Sequence, residues 1–216
     1  MADVKEVEVE LGYFNLERAK GKNNFIIPTV VLNYGFMPRV EVVAEFAVEE
    51  PSHGRTRLID AGLSLKAIVR EGVLQEKSGP SLAIEAGPLF PSTVGAEKRF
   101  GFRGAGILSD RLASLTYHLN LGGGIDREKN NSFFDWGVIV EFPITAQFRL
   151  VTEVNGENAH RKPSDSSGLV GVIWESPFHN TYFDAGIRKG ISRGAPDWLF
   201  TSGLTFAFSL SSSATK

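Results

Sequence analysis

The segment Trp198–Phe208, W-L-F-T-S-G-L-T-F-A-F, contains the pattern that decides the fold. Apolar side chains alternate there with small or polar ones at the two-residue period of a β-strand. One face is apolar and is interrupted only by Ser202; it carries Trp198, Phe200, Leu204, Phe206 and Phe208. The opposite face is small and polar and carries Thr201, Gly203, Thr205 and Ala207. Such a strand separates an apolar environment from a polar one.

The same alternation recurs along the whole chain and predicts about twelve strands. Most segments cover about 9–13 residues, which exceeds the usual strand of a soluble protein and matches a tilted strand that crosses a bilayer. An even number of strands places both chain ends on one side of a barrel. The predicted segments are 3–15, 23–36, 40–50, 58–70, 80–90, 98–108, 112–124, 132–142, 147–158, 166–176, 180–190 and 196–208.

The composition excludes several classes of protein. The 216 residues carry 23 basic and 25 acidic side chains, a net charge of −2, so nothing favours nucleic acid as a partner. The chain lacks a run of about 20 apolar residues, which excludes a helical membrane protein. It also lacks cysteine, which excludes disulfides and thiolate metal sites. The 16 Phe and 23 Gly residues are typical of a β-barrel with one polar and one apolar surface.

The connections between the predicted strands alternate in length. Tight turns are expected at Met37–Arg39, Ser109–Arg111, Pro143–Ala146 and Pro177–Asn180, and a longer turn near position 73. Longer polar loops are expected at Leu16–Lys22, Pro51–Arg57, Ser92–Arg99, Ile125–Asn131 and Glu157–Ser166. Short turns on one rim and long loops on the other are typical of outer-membrane barrels. Because Met1–Glu10 has neither a basic nor an apolar region of a signal peptide, we interpret the chain as a mature form.

Charged side chains in the middle of strands and aromatic side chains near strand ends favour a barrel that is polar inside and apolar outside. On this assignment acids outnumber bases in the lumen. The predicted lining residues are Glu8, Glu10, Glu41, Glu45, Lys66, Arg70, Glu85, Arg103, His118, Asn120, Asp135, Glu141, Arg149, Glu153, Asp184 and Arg188. They form either a hydrated pore or a network of ion pairs that plugs a narrow barrel. A barrel of twelve strands is intermediate in diameter between barrels that side chains fill and barrels that hold a water-filled channel, so both possibilities stay open.

Several turn segments resemble a known family. They read N-Y-G-F-M-P-R-V-E-V at 33–42, L-S-D-R-L-A-S-L-T-Y-H-L-N-L-G at 108–122, V-E-F-P-I-T-A-Q-F-R-L at 140–150 and A-P-D-W-L-F-T-S-G-L-T-F-A-F at 195–208. They are similar to the outer-membrane channels associated with meta-pathway phenol degradation. The resemblance implies a monomeric, twelve-stranded barrel through which small molecules, hydrophobic and aromatic ones among them, diffuse passively. Outer-membrane barrels usually end at an aromatic residue, whereas eight residues follow Phe208 here.

The sequence therefore predicts an all-β transmembrane barrel over residues 1–208 and a polar tail over 209–216. It predicts a bacterial outer-membrane channel whose partners are small solutes, outer-membrane lipid and lipopolysaccharide, without cofactor, metal or catalytic residues. One rival is a closed structural or enzymatic barrel. A twelve-stranded outer-membrane phospholipase family exists, but its site is on the lipid-facing surface, whereas His118 here faces inward by parity and Ser202 faces outward. The other rival is a soluble ligand-binding barrel.

Overall fold

Twelve antiparallel strands close into one barrel in the computed structural model, which describes residues 1–93, 97–178 and 180–210. Each strand pairs with its neighbours in sequence, and β1 pairs with β12, so the predicted fold class is confirmed. The strands are β1 Glu6–Ala19, β2 Lys22–Met37, β3 Val40–Pro51, β4 Arg57–Arg70, β5 Ser81–Leu89, β6 Gly101–Leu112, β7 Leu115–Ile125, β8 Ser132–Pro143, β9 Phe148–Ala159, β10 Asp165–Glu175, β11 Thr181–Gly190 and β12 Trp198–Ser209.

The barrel closes along the pairing of the first and last strands. Val7 pairs with Phe208 and Leu11 with Leu204, as expected from the apolar faces of both segments. An open edge in an apolar medium would leave backbone N–H and C=O groups without partners, at a cost of several kcal/mol each. Closure removes that cost. The last strand ends at Ser209, and residues 211–216 of the predicted tail lie outside the described part of the chain.

The two surfaces of the barrel have the polarity predicted from the alternation. Large apolar side chains project outward, and Leu65, Leu121 and Val69 are 57%, 59% and 60% exposed. Of the buried residues other than glycine, nine are polar or charged and three are apolar. A soluble protein has the opposite distribution. The outer surface is therefore the apolar one.

Two of the expected connections are wrong in position. The predicted loop at Leu16–Lys22 is a two-residue turn, Lys20–Gly21, with φ angles of 51° and 76°, and the strands on both sides extend to meet it. The predicted turn at Ser109–Arg111 is part of β6, and the chain turns at Ala113 and Ser114 instead. Both errors arise because strand-forming periodicity continues up to a turn of two residues. The longer connection near position 73 is confirmed and contains the 3₁₀ turn Val73–Gln75.

An irregularity in β1 also changes which side chains point inward. The pairing of β1 with β12 shifts between Gly12 and Phe14, so Tyr13 and Phe14 are both exposed, at 52% and 42%. The inward series then continues with Asn15, which is buried. A strict alternation from Val4 would have placed Asn15 outside. A β-bulge has this effect because it inserts one residue into the pleat.

The two rims of the barrel differ. One rim, here called the turn end, contains the connections 38–39, 71–80, 113–114, 144–147 and 176–180 and both ends of the described chain. The other, the loop end, contains 20–21, 52–56, 90–100, 126–131, 160–164 and 191–197. Within the described residues no helix is long and apolar enough to span a membrane.

Candidate functional site: the barrel lumen

Ion pairs that cross an intervening strand identify the inner wall. Arg103 on β6 reaches Asp135 on β8, and Arg188 on β11 reaches Glu153 on β9. Such pairs require inward-facing side chains, so the parity of each strand follows from them. Fifteen of the predicted lining residues occupy inward positions by this parity. The prediction is wrong for Arg70, because the pairing of β4 with β5 shifts between Ile68 and Arg70 and opposes Arg70 to the outward Leu82. Its guanidinium lies close to Gly79 in the following connection at the turn end.

The turn-end part of the lumen is packed around Glu41. This side chain is fully buried, and its Oε2 accepts a hydrogen bond from the backbone N–H of Ala2 at 2.8 Å. Its Oε1 lies 3.3 Å from Nζ of Lys66 on the neighbouring strand. Ala2 is itself buried, and Val4 bridges to Gly35. The segment before β1 therefore folds into this end of the barrel and narrows it.

Three further acids of this region accept hydrogen bonds from neutral partners. Asn33 donates hydrogen bonds from Nδ2 to Glu8 at 3.3 Å and to Glu10 at 2.9 Å. Ser64 donates its hydroxyl proton to Glu85 at 2.7 Å. These donors satisfy carboxylate oxygens without adding positive charge, so the wall stays acidic here.

A chain of four polar residues runs along β6 to β9 in the same half. The hydroxyl of Ser109 lies 2.7 Å from Nδ1 of His118, whose Nε2 lies 3.5 Å from Glu141. Glu141 also pairs with Arg149 at 3.2 Å, and the Arg149 guanidinium lies 5.8 Å from the Tyr182 ring centroid. Sequence reasoning missed Ser109 because it placed this residue in a turn.

The residue types Ser, His and Glu are those of a hydrolytic triad, but their surroundings differ from those of a catalytic site. Ser109 is 2% exposed, so a substrate has no access to its oxygen. The series Ser109, His118, Glu141 and Arg149 instead provides each of its own polar side chains with a partner, as buried polar groups require. Among the described residues no group of three His, Asp or Glu side chains is arranged to hold a metal ion.

The middle of the lumen is crossed by a bidentate ion pair. Arg103 binds Asp135 through Nε at 3.2 Å and Nη2 at 2.7 Å. The strand between them, β7, has glycine at the crossing point: a Cβ on Gly122 would lie 2.6 Å from Asp135 Oδ1. Gly122 thus provides room for this pair. Arg103 would otherwise have to bend around a side chain.

A second network lies beside this pair on β9 to β11. Arg188 donates to Glu153 at 2.9 Å and to the Ser167 hydroxyl oxygen at 2.9 Å. Asn155 donates to Glu153 at 2.6 Å and accepts from Ser167 at 2.7 Å. Each of these four residues has at least two partners, which fixes their positions on the wall.

Other lumen carboxylates have no ion-pair partner in the described part of the chain. Glu45 and Asp184 face inward beside glycines, because a Cβ on Gly62 or Gly203 would lie 3.0 Å or 2.4 Å from the respective carboxylate. Glu157 lies near the loop end. Carboxylates without a fixed counter-charge need water or mobile cations as partners.

Of these groups, Glu45 and Glu157 face a cavity of about 780 Å³ at the loop end. Its lining contains eight acids and four bases, so its net charge is negative. The acids are Glu45, Asp60, Glu97, Asp126, Asp135, Glu153, Glu157 and Asp165, and the bases are Arg103, Arg127, Lys162 and Arg188. The cavity has room for many water molecules, since each needs about 30 Å³.

The rim of this cavity is fixed by the loop residue Arg127. It is 8% exposed and pairs with Asp60 at 2.8 Å and Glu97 at 3.1 Å, which joins two connections and β4 across the mouth. Its neighbour Asp126 accepts three backbone hydrogen bonds within its own loop. Sequence periodicity contains no signal for these contacts, because they depend on how loops dock.

Charge and hydrogen bonding set the ionisation of this rim. Burial opposes ionisation of Asp126, but the backbone N–H groups of Lys129, Asn131 and Glu128 and the nearby ammonium of Lys162 hold its pKa below the usual value. The hydrogen bond from Lys162 to Glu128 raises the pKa of Lys162. Both groups are therefore charged at neutral pH.

One part of the inner wall is apolar. Val151, Leu169 and Ile173 line a second cavity of about 140 Å³ together with Thr201 and Asp184. The lumen therefore offers an aliphatic surface a short distance from its charged networks.

Comparisons with known proteins agree with the fold. No protein-family model matches the chain, and no curated protein matches it. A structure from a study of the in-meso crystallization of membrane proteins is similar over 97% of this chain and 86% of that chain, with 10% identity and a TM-score of 0.51. The translocator domain of the autotransporter NalP from Neisseria meningitidis is 10% identical, covers 94% of this chain and 87% of its own, and has a TM-score of 0.43. A loop L8 deletion mutant of OmpT, an outer membrane protein of Vibrio cholerae, is 10% identical over 94% of this chain and 97% of its own, with a TM-score of 0.40. The closed barrel of twelve antiparallel strands is thus similar in fold to the structure from the study of membrane proteins.

Proposed function

We propose that the protein is a bacterial outer-membrane channel for the passive diffusion of small solutes. The observation that supports this most is the acidic cavity of about 780 Å³ at the loop end, which leads into a lumen lined by charged side chains. The outer surface is apolar and the buried residues are mostly polar, which is the reverse of a soluble barrel and supports insertion in a membrane. In this proposal the turn end faces the periplasm and the loop end faces outward, as in outer-membrane barrels generally.

The solutes in this proposal are small and include hydrophobic and aromatic molecules. The apolar strip of Val151, Leu169 and Ile173 supports it, since an apolar solute gains free energy by contact with such a surface. The sequence resemblance to the channels of meta-pathway phenol degradation points the same way. The proposed protein is a monomer, makes and breaks no covalent bond, and needs no cofactor.

Ion selectivity tests the channel directly. With eight acids and four bases around the cavity, the pore should prefer cations, more strongly at low salt where screening is weaker. Glu45→Gln/Glu157→Gln should reduce this preference without unfolding the barrel, because neither carboxylate has an ion-pair partner among the described residues. Reversal potentials in planar bilayers measure the preference, and melting curves of the same preparations report stability.

Glu50→Gln is the matched control. It removes one carboxylate from the same end of the barrel, but Glu50 is on the outer face opposite Phe25, so selectivity should stay unchanged. Anion selectivity of the unmodified protein would contradict the proposal. Absence of conductance from a folded barrel would instead favour the closed structural barrel in which the ion pairs act as a plug.

A further inference from the structure

A groove on the outer surface has a composition unlike the rest of the apolar exterior. It has a volume of about 500 Å³ and lies near the loop end on β11, β12, β1 and β2. Its lining residues are Leu16, Arg18, Asn23, Ile187, Trp198 and Phe200. Together with Lys189, these residues are called the basic groove below.

The strand register arranges the groove in two rows. In the row nearer the middle of the barrel, Ile187 pairs with Phe200 and Phe200 with Leu16, which makes an aliphatic and aromatic floor. In the row nearer the loop end, Lys189 pairs with Trp198, Trp198 with Arg18, and Arg18 with Asn23. The two rows are about 7 Å apart along the strands, since each residue advances about 3.3 Å.

The two basic residues of the groove are exposed and not neutralised. Neither Arg18 nor Lys189 forms an ion pair within the described part of the chain, and Lys189 Nζ lies 4.2 Å from the Trp198 ring centroid. By the parity assigned above, they are the only outward basic side chains in the loop-end halves of the described strands. The neighbouring outward acid, Glu50, lies two strands from Arg18, beyond Phe25. The positive charge is therefore concentrated on one sector of the barrel.

We propose that the basic groove binds a phosphorylated glycolipid of the outer leaflet, namely lipopolysaccharide. This inference rests on the proposed location in the outer membrane. The chemistry of the two rows matches that of the lipid. Arg18 and Lys189 provide charge-assisted hydrogen bonds for sugar phosphates at the level of the membrane interface, and the guanidinium of Arg18 suits two phosphate oxygens at once.

The other groove residues fit the remaining parts of the same lipid. Trp198 lies at the interface level that amphipathic aromatic side chains prefer, and it can stack on a sugar ring. Ile187, Phe200 and Leu16 lie about 7 Å deeper along the strands, where acyl chains begin. A phosphate ion alone would use the charged row and leave the apolar row uncovered. We assign a lipid because the groove has a charged row and an apolar row next to each other.

The test compares binding of lipopolysaccharide to the refolded, detergent-solubilised barrel and to two double variants by native mass spectrometry. Arg18→Gln/Lys189→Gln should bind roughly thirtyfold more weakly, from the typical contribution of two basic residues near an anionic lipid surface. Arg55→Gln/Lys129→Gln is the matched control, because it removes the same charge from exposed loops at the same end. It should bind as the unmodified protein does.

Two further ligands separate the phosphate groups of the lipid from other sources of affinity. Enzymatically dephosphorylated lipopolysaccharide should bind the unmodified protein as weakly as intact lipid binds the groove variant. Inorganic phosphate should not displace the intact lipid at equal concentration. Equal affinity of the two double variants, or displacement by inorganic phosphate, would overturn the assignment. Reversal potentials in phosphatidylcholine bilayers, which contain no lipopolysaccharide, test the channel separately, so a failure of one proposal leaves the other measurable.

Discussion

Glycines of the inner wall make room for carboxylates. Gly122, Gly62 and Gly203 each lie beside an inward acid, and at Gly122 the space is used by the Arg103 to Asp135 pair that crosses β7. A side chain at this position would push the carboxylate away from its partner. The positions of these glycines are thus related to the positions of the charged side chains in the lumen.

The substitution Gly122→Ala tests this relation. Its Cβ would lie 2.6 Å from Asp135 Oδ1, so the ion pair must shift, and we expect a loss of about 1–3 kcal/mol of unfolding free energy. Gly106→Ala on β6 is the control, because no atom lies within 4 Å of its Cβ and stability should not fall. Denaturant titration of the refolded barrels measures both. If Asp135→Ala does not abolish the effect of Gly122→Ala, the loss has another cause.

Individual lining residues could be predicted from sequence because parity is a local property. Glu153 and Arg188 needed only the alternation within their own strands to be placed inside. The partner of His118 could not be found in this way, since Ser109 was assigned to a turn and the true turn is four residues later. Arg127 and Ala2 were missed for a different reason: both reach the lumen from outside the strands, where no period applies.

At the scale of the strand, β12 shows how one segment separates the two environments. Leu204 pairs with Leu11 and Phe183 on the outer face, whereas Thr205 pairs with Glu10 and Tyr182 on the inner face. The orientation expected from the alternation of Gly203–Phe208 is therefore confirmed. Because Thr205 has charged or polar neighbours and Leu204 has apolar ones, we expect position 205 to tolerate a charged side chain and position 204 not to tolerate it.

Arginine substitution at these two adjacent positions should give unequal losses of stability. Leu204→Arg should cost about 2–4 kcal/mol near the middle of a bilayer, because the guanidinium faces lipid. Thr205→Arg should be much milder, because its guanidinium lies on the inner wall beside the carboxylate of Glu10. Unfolding free energies in lipid vesicles provide the comparison. Equal losses would mean that both faces of β12 have the same environment.

The sequence predicts the number of strands better than it predicts where each strand begins and ends. Twelve segments were expected and twelve strands are present, but β1 and β2 reach the Lys20–Gly21 turn instead of ending at a loop. The mostly polar segment Leu16–Lys22 suggests a loop, and yet Glu17 faces a polar lumen, where such a residue is favourable within a strand. The β-bulge at Gly12 and Phe14 also has no sequence signal in an alternation that counts every residue.

For the molecule as a whole, the number of strands does not fix whether the lumen is open. The turn-end half is narrowed by the groups packed around Glu41 and by the Ser109 to Arg149 chain and contains the smaller cavity of about 140 Å³, while the loop-end half encloses a cavity of about 780 Å³. The sequence predicted the acid excess but could not predict this division. It depends on the segment before β1 and on loops that fold inward. In the proposed channel, the turn-end half limits the passage of a solute.

Efflux of two aromatic ions from liposomes tests the proposed channel most directly. Benzyltrimethylammonium and benzenesulfonate have similar size and opposite permanent charge, and neither crosses a bilayer readily. The acidic cavity and the apolar wall strip predict that both leave liposomes containing the folded barrel faster than protein-free liposomes, and that the cation leaves faster. Efflux of both ions at the protein-free rate, from liposomes in which the barrel is folded and inserted, would contradict passive passage through this lumen.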